Sequence, residues 1–318
     1  MNKFGKALEK IAREKKDSKK NTVFKSQRKA RQDEISNTTS YLNMNQPKIS
    51  VTSIKTIVDS NKVAPCITAL HDPRSHISEQ YRVLRTNLKS LRKKSIKTIL
   101  VTSSLEGEGK TVTALNFAFT LAQDKTKKIL LLDADMRRSK VGYYLGLKKK
   151  RFGFKDFLEG EVSIDDVMVS TEFENLHILP GNVGKNLHNA SELLGSVEMK
   201  KIIAFARDEY DYVVIDAPPI IPVTDAAVLG TQVDGVIMVF QAEKTQRNTI
   251  RHAQNLLEQA QTNILGYVMT NVRYISPGYR DYYYYLGKFY YFLKISCWNN
   301  IFWNTVVWKV YRMFSLFN

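Results

Sequence analysis

Cysteine is scarce in this 318-residue chain: Cys66 and Cys297 stand alone and far apart. That spacing offers neither a disulfide framework nor a metal-ligand pattern, and it fits a reducing cytosol. No early apolar stretch resembles a signal peptide, and no uninterrupted apolar run is long enough to span a membrane. Acidic residues are outnumbered, 31 Asp+Glu against 48 Lys+Arg, for a formal charge of +17 and a pI near 9.6. Such a balance implies acidic partners, whether nucleic acid, anionic lipid or an acidic protein face. No DNA-binding helix or zinc signature accompanies the basic N-terminus, so nucleic acid is the weakest of the three.

What is present centres on Ser103-Ser104-Leu105-Glu106-Gly107-Glu108-Gly109-Lys110-Thr111, between the apolar run Ile99 to Val101 and a helix-like segment from Val112 to Leu121. Strand, glycine-rich turn, Lys-Thr and helix is the order that cradles nucleotide phosphates. Glycines let backbone N–H groups approach the oxygens, Lys110 reaches the β/γ-phosphates, and Thr111 offers a hydroxyl to Mg²⁺. The strict pattern has glycine where this chain has Ser104. Ser104, Glu106, Gly107, Glu108, Gly109, Lys110, Thr111 and Val112 are the candidate nucleotide contacts.

Two further strand ends corroborate the loop. Ile129 to Leu132 runs into Asp133-Ala134-Asp135-Met136-Arg137-Arg138, and Tyr212 to Ile215 into Asp216-Ala217-Pro218-Pro219. Both are continuous apolar runs, as strands buried on two faces require. Each delivers an acid to its carboxyl end, where open α/β sheets bind ligands. Asp216 is the natural metal-holding carboxylate, and Asp133 with Asp135 adds a second acidic site beside the same phosphates. Any one of these alone would pass for a tight loop or a helix cap. Three in order on strand ends point to nucleotide binding.

Residues 1–65 are expected to be a basic, largely disordered extension. Phe4, Leu8 and Ile11 fall at helical spacing among lysines there, in a short helix suited to a partner, to a lipid surface or to solvent. Residues 66–275 form the expected α/β domain. Its strands fall at 97–102, 128–133, 175–179, 211–216, 235–240 and 264–271, and its helices at 78–91, 110–123, 190–207, 224–231 and 245–260. That alternation predicts a mostly parallel sheet with helices on both faces. Residues 276–318 carry a tyrosine cluster and an aromatic, hydrophobic end. The stretch Cys297 to Phe317 suits an interfacial helix or packing against the domain equally.

With these motifs the chain resembles the bacterial tyrosine autokinases of capsular and extracellular polysaccharide synthesis, over about residues 72–291. Glu79-Gln80-Tyr81-Arg82-Val83-Leu84-Arg85, Gly153 to Gly160 and Ser191-Glu192-Leu193-Leu194 also match. The resemblance implies a P-loop NTPase fold with ATP and Mg²⁺ as cofactors. Lys110 and Thr111 then bind phosphate and metal, and Asp216 completes the metal shell. Asp133 orients or deprotonates the attacking tyrosine, Asp135 assists, and Asn271 stands where related NTPases hold the adenine. By the same resemblance, Glu79, Arg82 and Arg85 build subunit contacts in a homo-oligomeric ring, where the plainer alternative is a solvated helix flank. The tail's acceptors are Tyr279, Tyr282, Tyr283, Tyr284, Tyr285, Tyr290 and Tyr291.

Four consecutive tyrosines cannot all face inward from a helix or a strand, so several hydroxyls are exposed. Between Tyr279 and Lys294 the charges are Arg280, Lys288 and Lys294 against Asp281, a net +2. Each phosphate adds about −1.5 to −2, so two modified tyrosines would reverse the sign. Many relatives are fused to a membrane-spanning chain-length regulator. The resemblance therefore implies a separate membrane adaptor for this chain and a cytoplasmic location at the inner face of the cell membrane, with anionic lipid as a further contact. Two rival functions remain in view: a ParA/MinD-like positioning ATPase, and a nucleotide-gated scaffold without kinase activity. The first generally has lysine where Leu105 stands here and lacks the tyrosines; the second has no need of Lys110, Thr111, Asp133, Asp135 and Asp216 together.

Overall fold

The computed structural model describes residues 51, 54, 56–91, 96–147, 152–181 and 190–272 in full, and 291–296 and 302–307 as backbone. Its strands are β1 (Thr56–Ile57), β2 (Thr98–Ser103), β3 (Ile129–Asp133), β4 (Val169–Ser170), β5 (Leu176–Leu179), β6 (Tyr212–Asp216), β7 (Gly235–Gln241), β8 (Ile264–Thr270), β9 (Tyr291–Ser296) and β10 (Phe302–Val307). They form one sheet in the order β1-β4-β5-β3-β6-β2-β7-β8-β10-β9. The six strands from β5 to β8 are parallel throughout, and the antiparallel pairings are β4 on β5, β10 on β8 and β9 on β10. All six strands foreseen from the apolar runs are therefore present, within a residue or two of their expected bounds.

Successive residues of these strands feed opposite apolar layers, which is why they read as unbroken apolar runs. Ile99, Val101, Ile129, Leu131, Val214, Ile237 and Val239 pack on one side, with α1 (Thr68–His71), α2 (His76–Lys89) and α3 (Lys110–Ala122). Leu100, Leu130, Leu132, Val213, Ile215, Val236 and Met238 pack on the other. The short helices α4 (Val141–Tyr144), α5 (Phe154–Leu158) and α6 (Ile164–Val167) follow the β3 tip. Beyond them come α7 (Ala190–Leu194), α8 (Val197–Glu209), α9 (Asp225–Gly230) and α10 (Arg247–Gln259).

Helix α3 is buried from Thr111 to Ala122, on every side, as a central helix must be. Its one amide side chain, Asn116, is fully used: Oδ1 accepts from the Ala69 N–H at 2.9 Å, and Nδ2 donates to the Cys66 carbonyl at 3.0 Å. Cys66 itself is fully buried.

Three other departures have plain causes. The helix expected over 190–207 is two helices, because the Ser196 side chain accepts from the Met199 N–H and caps a new start. Val58 and Val63, inside the expected extension, are buried in the α2–α3 layer, so packed residues begin ahead of residue 66. Part of the tail, for which an interfacial helix was one option, has the backbone of β9 and β10 instead, added at the β8 edge. Among the described residues no helix is long and apolar enough to cross a membrane.

The lower end of β2 is pinned by Asp234. One of its carboxylate oxygens accepts from the Lys97 and Thr98 N–H groups, each at 2.9 Å, and from the Thr98 hydroxyl at 3.0 Å. The other pairs with Arg207 at 2.6 Å. Removing it leaves two partly buried amides without a partner. Asp234→Ala should cost about 2–4 kcal/mol in urea unfolding; an unchanged midpoint would count against this pin.

Candidate active site at the converging strand tips

The tips of β3, β6 and β2 are laced together by backbone. Ala134 N–H donates to the Asp216 carbonyl at 2.8 Å, Ala217 N–H to Val101 at 3.0 Å, and Ile220 N–H to Ser103 at 2.9 Å. Pairing sets Asp133 beside Asp216 and Asp216 beside Val101, so the acids stand next to the loop that leaves β2.

That loop turns at Gly107 (φ 77°) and Gly109 (φ 92°), in the left-handed region where a side chain is strained. Gly109 leads directly into α3, which puts Lys110, Thr111 and Val112 in its first turn, where N–H groups lack helical partners. Two of the predicted contacts use their side chains otherwise. The buried Glu108 carboxylate accepts from the Leu105 N–H at 2.8 Å and from the Thr245 hydroxyl. Burial raises its pKa against the lowering effect of these hydrogen bonds. Glu106 forms an exposed ion pair with Arg138 across the loop. Both can therefore serve a phosphate only through backbone N–H groups. Ser104 is buried, with its hydroxyl lacking a hydrogen-bond partner.

Lys110 is the cation of the site. Its Nζ donates to Asp135 at 2.6 Å and lies 3.8 Å from Asp216 Oδ1. Burial alone would lower its pKa; Asp216, Asp135 and Asp133 more than reverse that and hold the ammonium charged. Asp133 is fully buried. It accepts from the Ser139 hydroxyl at 2.6 Å, from Val141 N–H at 3.2 Å and from Asp135 N–H at 3.1 Å. Burial, then the neighbouring Asp216 and Asp135 charges, push its pKa up to about 7. Asp216 rises to about 6, again through burial first, with Lys110 opposing. A carboxylate with a pKa near 7 accepts a proton far better at neutral pH than an ordinary one.

The residues fit a magnesium ion. Both Asp216 oxygens are buried and receive no hydrogen bond of normal geometry, although the Lys110 ammonium and Thr111 hydroxyl lie near enough to lower its pKa. A buried carboxylate with open oxygens beside a hydroxyl at a helix start is a donor set short of a cation.

Two of the quoted segments meet at a partner that neither of them contains, Asp225. Arg137 grips the fully buried Asp225 through two nitrogens, at 2.9 and 3.1 Å, and Ser191 donates to the same carboxylate. This joins the β3 tip to α7 and α9. Thr270 belongs to the loop as well: its hydroxyl donates to the Glu108 carbonyl at 2.7 Å, and its methyl lies 3.1 Å from where a Gly109 Cβ would be. Asn271 follows it with φ 58°, a conformation asparagine tolerates, one residue beyond the β8–loop contact.

Helix α2 carries Glu79, Arg82 and Arg85 away from this centre. Arg82 pairs with Glu79 and donates to Gln123 at 3.3 Å, while Arg85 donates to the Thr120 carbonyl in the last turn of α3 at 2.7 Å. Both arginines thus have partners within the chain. Tyr279, Tyr282, Tyr283, Tyr284, Tyr285 and Tyr290 lie outside the described residues, as does the N-terminal helix at Phe4, Leu8 and Ile11; Tyr291 is described as the first backbone position of β9.

A parallel sheet, a glycine turn into Lys-Thr at a helix start and acids on two neighbouring strand tips define a P-loop NTPase domain. The family described as "AAA domain" matches residues 96–267, more than half of the chain. The putative tyrosine-protein kinase CapB of Staphylococcus aureus is 34% identical over 221 residues, covering 69% of this chain and 94% of that protein. Tyrosine-protein kinase YwqD of Bacillus subtilis is 34% identical over 204 residues, covering 64% and 84%. Among solved structures, the kinase domain of the Escherichia coli tyrosine kinase ETK aligns at a TM-score of 0.59 with 27% identity, covering 64% of this chain and 78% of that one. The chain belongs to the family of bacterial tyrosine-protein kinases.

The raised carboxyl pKa values have a measurable consequence. The folded state holds the Asp133 and Asp216 protons more tightly than the unfolded chain, where the pKa is about 3.9. They therefore favour folding below about pH 4, and that contribution is lost as pH rises through about 6 to 7. In thermal melts of ligand-free protein from pH 5 to 8, wild type should lose stability relative to Asp133→Asn. Parallel pH profiles for the two proteins would rule out a buried, proton-holding Asp133.

Proposed function

We propose that this chain is an ATP-dependent protein-tyrosine autokinase that phosphorylates its C-terminal tyrosine cluster in trans, within an oligomer, and thereby regulates polysaccharide polymerisation or export. The observation that carries this reading is the Lys110 ammonium held between Asp135 and Asp216, whose own oxygens are buried and open.

The loop N–H groups and the first turn of α3 hold the triphosphate, and Lys110 neutralises its β/γ-oxygens. Thr111 and Asp216 hold Mg²⁺, which supplies charge neutralisation on the transferring phosphoryl group. Asp133 accepts the phenol proton as a tyrosine Oη bonds to the γ-phosphorus. The bond from that phosphorus to the β–γ bridging oxygen breaks, and ADP leaves with the electron pair. Asp135 keeps Lys110 in place between turnovers, and Asn271 faces the adenine. Positioning and electrostatics suffice for this chemistry, since phosphoryl transfer asks little else of a protein.

The acceptors are Tyr279, Tyr282, Tyr283, Tyr284, Tyr285, Tyr290 and Tyr291. Glu79, Arg82 and Arg85 contribute to contacts between subunits of a ring, in which each tail enters a neighbour's site. Phosphorylation then reverses the tail's charge and releases it from the acid-rich centre. A separate membrane protein acts as activating adaptor, and the kinase works at the inner face of the cell membrane, with anionic lipid as a further contact.

Incubation with ATP and Mg²⁺ should label the wild type on tyrosine, with Lys110→Ala reduced at least about a hundredfold. Mass spectrometry should place the phosphates in 279–291. Mixing Lys110→Ala with a variant whose tail tyrosines are all phenylalanine should restore labelling of the Lys110→Ala chain. Failure of that mixture to label would exclude transfer between subunits. Absence of phosphotyrosine even with the cytosolic part of an adaptor present would favour the scaffold alternative.

A further inference from the structure

The turn between β7 and α10 reaches back to the phosphate loop. Ala242 N–H donates to the Thr270 carbonyl at 2.7 Å, Gln241 N–H to Thr245 Oγ1 at 3.1 Å, and the Thr245 hydroxyl to Glu108. Between these anchors Glu243 is held at φ 58°, a left-handed conformation that non-glycine residues keep only where their surroundings impose it. The next residue, Lys244, is exposed, yet its ammonium is carried over the loop. It lies 3.8 Å from where a Cβ on Gly107 would be, with no other non-neighbouring heavy atom within 4 Å of that point.

Glu108 does not account for this placement. Its carboxylate already accepts from Leu105 N–H and the Thr245 hydroxyl. The loop's own third residue is apolar: Leu105 is 41% exposed, so a cation at the mouth of the loop has to come from elsewhere.

We propose that Lys244 is a nucleotide-binding residue, whose ammonium, fixed over Gly107 by the Ala242–Thr245 turn, contacts the phosphate chain of the bound nucleoside triphosphate as a second cation beside Lys110. This rests on the nucleotide-binding reading of the loop. It makes the end of β7 part of the site. It also supplies from a neighbouring strand the positive charge that Leu105 withholds.

The test is titration of the full chain with fluorescent ATP and, separately, with adenosine, at low and high salt. Lys244→Gln should bind ATP about tenfold more weakly than wild type and with a shallower salt dependence, as loss of one charge-assisted contact predicts. Lys244→Arg should recover most of the affinity. Adenosine binding and the ligand-free melting temperature should not move. Equal ATP affinity in Lys244→Gln and wild type overturns the proposal, as does an equal loss for ATP and adenosine, which would make Lys244 a structural residue. If wild type and Lys110→Ala both fail to bind ATP, the nucleotide-binding reading itself falls, a result distinct from either of these.

Discussion

One ammonium shares the tips of three strands with three buried carboxylates, and most of what distinguishes this molecule follows from that imbalance. Charges away from water are costly unless paired, and Lys110 cannot neutralise Asp133, Asp135 and Asp216 together. The backbone prevents the acids from separating, because the register of β3, β6 and β2 sets Asp133 beside Asp216, and Asp216 beside the strand that feeds the loop. The remaining relief is protonation, which explains the raised pKa values of Asp133 and Asp216, or the arrival of a further cation. A centre that is uncomfortable alone is well matched to a divalent cation.

The phosphate loop is equally constrained, and from outside itself. Glu108 turns inward and grips the Leu105 amide, the β8 end holds the Glu108 carbonyl through Thr270, and the turn after β7 closes on the Glu108 side chain through Thr245. Glycines at 107 and 109 allow the curvature, but these three contacts decide its shape. Such rigidity suits chemistry that depends on alignment, since phosphoryl transfer gains most from groups already in position.

The arginines of α2 already have partners within the chain. Arg85 donates to the Thr120 carbonyl in the last turn of α3, the helix that begins at Lys110, and Arg82 is tied to Glu79 and Gln123. A ring contact through these residues would exchange intrachain partners for intersubunit ones. The free energy of assembly would then be the difference between two sets of hydrogen bonds rather than the gain of one. In that case oligomerisation would also be felt along α3, at its Lys110 end.

What the chain determined by its residues alone was the local part. Runs such as Ile129 to Leu132 and Tyr212 to Ile215 are apolar on both faces, so they had to be interior strands, and an acid at the end of each had to stand at a tip. Gly107, Gly109, Lys110 and Thr111 were legible because a phosphate loop is made from consecutive residues. Tertiary structure decided what consecutive residues cannot encode. Glu108 meets Thr245 across 137 positions and Thr270 across 162, and Arg137 meets Asp225 across 88. A crossover connection brings together whatever lies at neighbouring strand ends, however distant in sequence. Partners of that kind leave no periodicity or spacing behind, because their proximity is created by the sheet order itself.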